Sequence, residues 1–149
     1  MTEQEQRALV CKIAAEYIGT PYHPCARVKG HGVDCLTLLS GVWEDAGLIA
    51  RADIPHYSPQ FMLHRSDELY LTGLLKYTHE VTTPQPGDIA LWKFGRCFSH
   101  AAIITDWPHI IHAYVNNKVQ REDVSKAKWL STMKDGSPRP MKFFSWWGK

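Results

Sequence analysis

The sequence predicts an α+β domain in which helices come first and strands second. Three observations support this. Apolar residues recur at helical spacing along residues 3–18 and again from Cys35 to Ala46, while "TTPQPGD" (82–88) marks a change of texture. Beyond it lie short runs rich in β-branched and aromatic residues, the pattern of a mostly antiparallel sheet. At 149 residues the chain fits one domain, 1–149, long enough to bury a core without covalent staples.

The elements follow in order. Residues 3–18 place Leu9, Ile13 and Tyr17 at four-residue steps, with Val10, Ala14 and Ile18 beside them, which predicts an amphipathic helix stopped by Gly19. "GTPYHPCARVKGHG" reads as a loop leading to Asp34, a good helix N-cap. The next helix turns Leu38, Leu39, Val42, Trp43 and Ala46 inward and ends at Gly47. "RADIPHYSP" reads as a connector, and a third helix is expected between about Gln60 and Tyr77 with Leu71, Leu74 and Leu75 apolar. "IALWKF", "FSHAAIIT", "HIIHAYV", "KVQRED" and "MKFFSWW" are the expected strands, and the Cys-bearing helix is expected to pack on their sheet.

Composition narrows the function classes. A net charge of +2, with basic residues scattered along the chain, argues against nucleic-acid binding. No apolar run is long enough to span a bilayer, so membrane insertion is not expected. The start "MTEQEQRALVCKIAAEY" lacks the basic, then apolar, plan of a signal peptide, so a product made in the cytoplasm is expected. Four Cys at 11, 25, 35 and 97 form no CxxC pair.

The chemistry concentrates around "HGVDCLTLLSGVW" (31–43), where Cys35 opens a helix behind Asp34. The first turn of a helix offers unpaired N–H groups and the positive end of the dipole, which favour a thiolate and could also cradle an oxyanion. The thiol needs a base. His100 in "FSHAAIIT" and His112 in "HIIHAYV" flank "TDWP", a plausible turn. In a hairpin symmetric about Asp106 the two would face each other, with Cβ atoms about 5 Å apart, while His109 would point the other way. Cys35, His100 and His112 then follow the logic of a papain-type thiol site: nucleophile, base and orienting group.

With these residues assembled, the chain resembles the NlpC family of papain-like cell-wall cysteine peptidases, most of all its stand-alone phage-tail members. The matching pieces run in family order: "IGTPY" (18–22), "GVDCLTLLSGVW" (32–43), "PGDIALW" (86–92), "SHAAII" (99–104) and "IIHAY" (110–114). The resemblance implies an α+β papain-like fold and hydrolysis of peptidoglycan stem peptides, typically between D-γ-glutamyl and meso-diaminopimelate residues. It implies Cys35 as nucleophile, His100 as base and then acid, and His112 as the residue that orients it. Tyr22 matches a tyrosine placed to assist the oxyanion, and Asp34 an aspartate that can meet a substrate amine. No cofactor is implied. The expected partners are stem peptides and phage tail-tip or hub proteins, with the enzyme carried in a tail and acting on the wall in the periplasm. Two departures bear on substrate subsites: Leu36-Thr37 stands where members often have Ser-Gly, and "YHPCARVKG" replaces a common Tyr-x-x-Gly-Gly.

Other readings stand beside this one. Cys11 and Cys97 read as core residues, as a lone Cys usually does. Zinc is a rival for Cys35, since His23, Cys25, His31 and Cys35 are all zinc-ligand types, though their spacing matches no common finger or ribbon. A structural tail-tip component with a vestigial or occluded site keeps the fold and drops the chemistry. Tyr22 could be a packed aromatic alone and Asp34 a cap alone. Asp88 in "PGD" reads as structural.

Overall fold

The computed structural model describes residues 1–50 and 69–148. Helix α1 (Glu3–Glu16) begins with a capping box, in which the Thr2 hydroxyl accepts from Glu5 N–H and the Glu5 carboxylate reaches back to Thr2 N–H. Val10, Ile13 and Ala14 form its buried stripe. The helix ends earlier than expected: Tyr17 is its C-cap, and Ile18, beyond the cap, is exposed rather than apolar-facing. Gly19 follows at φ 94°, a left-handed turn that suits glycine.

The stretch read as a loop contains a short antiparallel ribbon, β1 (Arg27–Val28) with β2 (Gly32–Val33). Val33 is buried and anchors this ribbon under the start of α2 (Cys35–Asp45). The Asp34 cap forms as expected, with Oδ1 accepting from the N–H groups of Leu36 and Thr37 and the Thr37 hydroxyl accepting from Asp34 N–H. Leu38, Leu39, Val42 and Trp43 are buried, Ala46 is the C-cap, and Gly47 takes a positive φ. Of the third expected helix, α3 (Leu69–Leu75) is present; residues 60–68 and the connector at 51–59 lie outside the described residues. Leu74 is buried, whereas Leu75, one residue around the helix and away from the packed side, is 52% exposed.

Six strands form the main sheet: β3 (His79–Val81), β4 (Ile89–Phe94), β5 (Cys97–Asp106), β6 (His109–His112), β7 (Gln120–Asp123) and β8 (Met141–Ser145), with the short helix α4 (Lys128–Ser131) between β7 and β8. Their order across the sheet is β3-β8-β4-β5-β6-β7, every neighbour antiparallel. The three-residue β3 is too short to show a pattern in the sequence, and was not expected.

Both faces of the sheet are covered. Ile89, Leu91, Ala101, Ile103, Ile111 and Phe144 pack against α1 and α2. Ala90, Trp92, Ala102, Ile104 and Ile110 pack against Val124, Ala127 and Leu130. Strands buried on two faces read as continuous apolar runs, which is why "IALW" and "AAIIT" do not alternate. The sheet is tied to α1 by a buried ion pair between Arg7 and Asp88, 2.8 Å apart. The other Asp88 oxygen accepts from Gln85 N–H, which gives the "PGD" aspartate its structural role. Cys97 is buried as expected; Cys11 is half-buried, its thiol 3.7 Å from the Ile104 carbonyl, and burial pushes its ionisation up.

The β5–β6 register differs from the symmetric hairpin. Ile103 pairs with Ile111 and Ile104 with Ile110, with an irregularity before Asp106 meets His109. This brings His112 to the level of Ala102, two residues along from His100. An even offset preserves the face on which a side chain projects, so the shared face survives and direct opposition does not.

Candidate active site

Cys35 occupies the first turn of α2 and is 7% exposed. Its thiol contacts β5: Sγ lies 3.6 Å from the carbonyl of Ser99. That carbonyl is placed by a bulge. Trp92 pairs with His100 but Lys93 pairs with Phe98, so Ser99 is the extra residue that re-aims the strand. The sulfur therefore sits one peptide unit from His100.

His100 is 5% exposed and His112 fully buried, and His100 Nε2 lies 2.9 Å from His112 Nδ1. Because the residues are diagonal on neighbouring strands, the imidazole rings themselves bridge the gap, with centroids 5.1 Å apart and planes at 70°. Trp92, Phe94 and Tyr114 surround His100, Tyr114 edge-on at 5.2 Å. Trp129, 43% exposed, lies nearly parallel to the His112 ring, 20° apart in plane, and forms the outer wall of the pair.

Burial in this aromatic cage disfavours charge. His100 is held well below its ordinary pKa by burial first, then by the neighbouring His112 and the Arg139 guanidinium. Burial alone pushes His112 down to about 4. At neutral pH both rings are uncharged, each carrying a single N–H. The pair is thus two neutral imidazoles joined by one hydrogen bond.

Tyr22 and Asp34 complete the group. Tyr22 is joined to Val33 by a parallel bridge and donates its N–H to Asn117. Burial pushes its phenol up, and the charges that Cys35, Asp34 and Cys25 can carry push it further, so its hydroxyl keeps its proton at neutral pH. Asp34 is buried, and its second oxygen accepts from Cys25 N–H at 2.8 Å. Of the N–H groups at the helix start, those of Leu36 and Thr37 are donated to Asp34 Oδ1, and that of Leu38 to the Asp34 carbonyl. An N-cap and an oxyanion hole compete for the same donors. The residues of the zinc alternative are not gathered: among the described residues no group of three or more His, Cys, Asp or Glu is placed to hold a metal ion.

Three neighbours were missed from sequence. Ser99 enters through the bulge. Arg139 enters through a strap in which its guanidinium donates to the carbonyls of Lys93, Leu130, Trp129 and Thr132 and lies 3.9 Å from the Phe94 ring centre. Glu122, on β7, places Oε1 3.6 Å from His112 Nε2. Each position depends on a bulge or a strand register, which composition and spacing do not reveal.

A thiol at a helix start, packed on an antiparallel sheet beside a buried histidine pair, defines an α+β papain-like fold. Solved structures agree on the fold. The chain is similar to the NlpC/p60 domain of the peptidoglycan hydrolase SagA, at 20% identity and a TM-score of 0.57 over 91% of this chain and 96% of that one. It is similar to NlpC1 from Trichomonas vaginalis, at 16% identity and TM-score 0.64 over 100% of this chain and 46% of that one. It is also similar to a lipoprotein-like NLP/P60 family protein from Staphylococcus aureus, at 19% identity and TM-score 0.61, covering 93% of this chain and 42% of that one. The chain thus spans nearly all of the first and less than half of the other two. No protein-family model and no curated protein matches the sequence.

Proposed function

We propose that this protein is a cysteine endopeptidase that cleaves peptidoglycan stem peptides, at the bond between D-γ-glutamyl and meso-diaminopimelate residues, and that it serves in a phage tail or tail-like delivery device. The observation that carries the reading is the buried His100–His112 pair, 2.9 Å apart, beside a helix-initiating thiol 3.6 Å from the Ser99 carbonyl. A neutral, desolvated imidazole one peptide from a thiol is a competent base. The NlpC/p60 fold shared with a peptidoglycan hydrolase domain supports the substrate class. The phage-tail setting and its tail-tip or hub partners rest on the resemblance of "GVDCLTLLSGVW" and "PGDIALW" to the stand-alone tail members.

In this mechanism His100 takes the Cys35 proton through Nδ1, its Nε2 being engaged with His112, as sulfur attacks the scissile carbonyl carbon. The Tyr22 hydroxyl donates to the developing oxyanion. His100 then passes its proton to the departing amine, leaving a thioester on Cys35. A water molecule, losing a proton to His100, attacks that thioester and releases the acid. Asp34 fixes α2 beneath the thiol, and its charge is the one a substrate amine would meet.

Purified cell-wall sacculi test the chemistry. Wild-type protein is expected to release soluble muropeptides and Cys35→Ser to release none; equal release by both would refute the thiol mechanism.

A further inference from the structure

His112 presents a problem that the first three site residues leave unsolved. Its ring is fully buried, its Nδ1 is engaged with His100, and its Nε2 has no hydrogen-bond partner within ordinary distance among the described residues. The Glu122 carboxylate lies 3.6 Å from that nitrogen. Strand register explains its place: His112 pairs with Gln120 and Ile110 with Glu122, so Glu122 projects from the same face as His112, one step along the diagonal. Glu122 is partly exposed and also receives the Gln120 side-chain amide at 3.5 Å.

Proton direction then follows from counting. Two neutral imidazoles share one hydrogen bond, so one donates and the other accepts. If His112 carried its proton on Nδ1, His100 would accept through Nε2 and would carry its own proton on Nδ1, with no lone pair for the thiol. If His112 carries its proton on Nε2, aimed at Glu122, its Nδ1 accepts from His100 Nε2–H and His100 Nδ1 is left bare. Only the second arrangement makes His100 a base.

We infer that Glu122 is a positioning residue: its carboxylate receives the Nε2–H of His112, sets the direction of the His100–His112 hydrogen bond, and becomes the counter-charge when the pair is protonated during turnover. This rests on the reading of Cys35 as nucleophile and His100 as base. At 3.6 Å the carboxylate stands just beyond hydrogen-bond distance of the ring nitrogen, and in this proposal the gap closes as positive charge develops on the pair. Among the described residues, the other charged or titratable groups on this side of the sheet are the Arg139 guanidinium, which opposes protonation of His100, the ring of Tyr114, and the Cys35 thiol beside the Ser99 carbonyl. The Glu122 carboxylate is an anion on the His112 side.

The test combines imidazole ¹⁵N NMR of the resting protein with the pH profile of kcat/KM for Glu122→Gln and Glu122→Ala. Wild type is expected to show His112 protonated on Nε2 and His100 protonated on Nε2. Glu122→Gln keeps an acceptor but loses the charge, so the tautomers hold while the acid limb of the profile, where protonation of the pair removes the base, moves down by roughly one pH unit. Glu122→Ala loses both, mixing the tautomers and lowering kcat on the order of tenfold with KM unchanged. Tautomers and acid limb that are identical in all three proteins would overturn the proposal. The spectra need no turnover, so a wild type that cuts nothing would sink the peptidase reading while NMR still decides the role of Glu122.

Discussion

His100 Nε2 and His112 Nδ1 lie 2.9 Å apart although the β5–β6 register sets the two residues on different rungs of the ladder. The bridging rings share one proton inside an aromatic cage, which fixes the His100 ring in one orientation. Orientation by a neutral partner differs from orientation by a carboxylate: it adds no counter-charge of its own next to His100.

Replacing His112 therefore separates orientation from packing. His112→Ala is expected to lower kcat on the order of 10²-fold with little change in KM. His112→Asn, whose amide oxygen can accept from His100 Nε2–H, is expected to retain several times more activity than the alanine variant. Steady-state kinetics on a soluble stem-peptide substrate compares them.

Burial of the pair also couples stability to acid. An unfolded histidine titrates near 6.5, whereas His112 in the fold is pushed down to about 4. Above pH 6.5 both states are neutral at this site, so it contributes no pH dependence. As pH falls below 6.5 the unfolded chain binds a proton that the folded ring refuses, and stability is lost until pH passes about 4. Between pH 7 and pH 5 the loss at His112 is about 2 kcal/mol. Urea unfolding at the two pH values measures it, and His112→Asn is expected to show a slope shallower by that amount.

In the proposed mechanism Tyr22 is the side-chain oxyanion donor, and the α2 cap occupies the N–H groups of Leu36 and Thr37. Tyr22→Phe is expected to lower kcat on the order of 10²-fold, the scale of one lost oxyanion donor, and to leave the urea midpoint nearly unchanged. A kcat equal to wild type would reassign Tyr22 to packing.

The Arg7–Asp88 pair predicts the opposite pattern. Both side chains are buried, and Arg7 also donates to the Pro86 carbonyl. Asp88→Ala removes the buried anion from a guanidinium that keeps the half-exposed Glu3 carboxylate at 2.9 Å, and is expected to cost about 3 kcal/mol of stability. Activity per folded molecule should persist well below the melting temperature. Calorimetry beside an activity assay at low temperature reads both.

Much of this was legible in the sequence, for local reasons. A capping box and a four-residue apolar step are written in neighbouring residues, so α1, α2 and the place of Cys35 could be read directly. Both histidines were found because parity along a strand survives an even error in register. The rest depended on pairing. The Ser99 bulge, the diagonal from His112 to Glu122 and the Arg139 strap arise from contacts between distant segments, and no periodicity reports them. Which first-turn donors the cap takes was not legible for a different reason: the same N–H groups serve cap or substrate, and only the hydrogen bonds of Asp34 show that Leu36 and Thr37 serve the cap.

Mass spectrometry of muropeptides after incubation with the protein, with Cys35→Ala as control, addresses the peptidase reading most directly. Wild type should convert intact stems into fragments ending in D-glutamate and fragments beginning at diaminopimelate, and Cys35→Ala should leave the stems whole. Intact stems with the wild type, or the same fragments from Cys35→Ala, would contradict it.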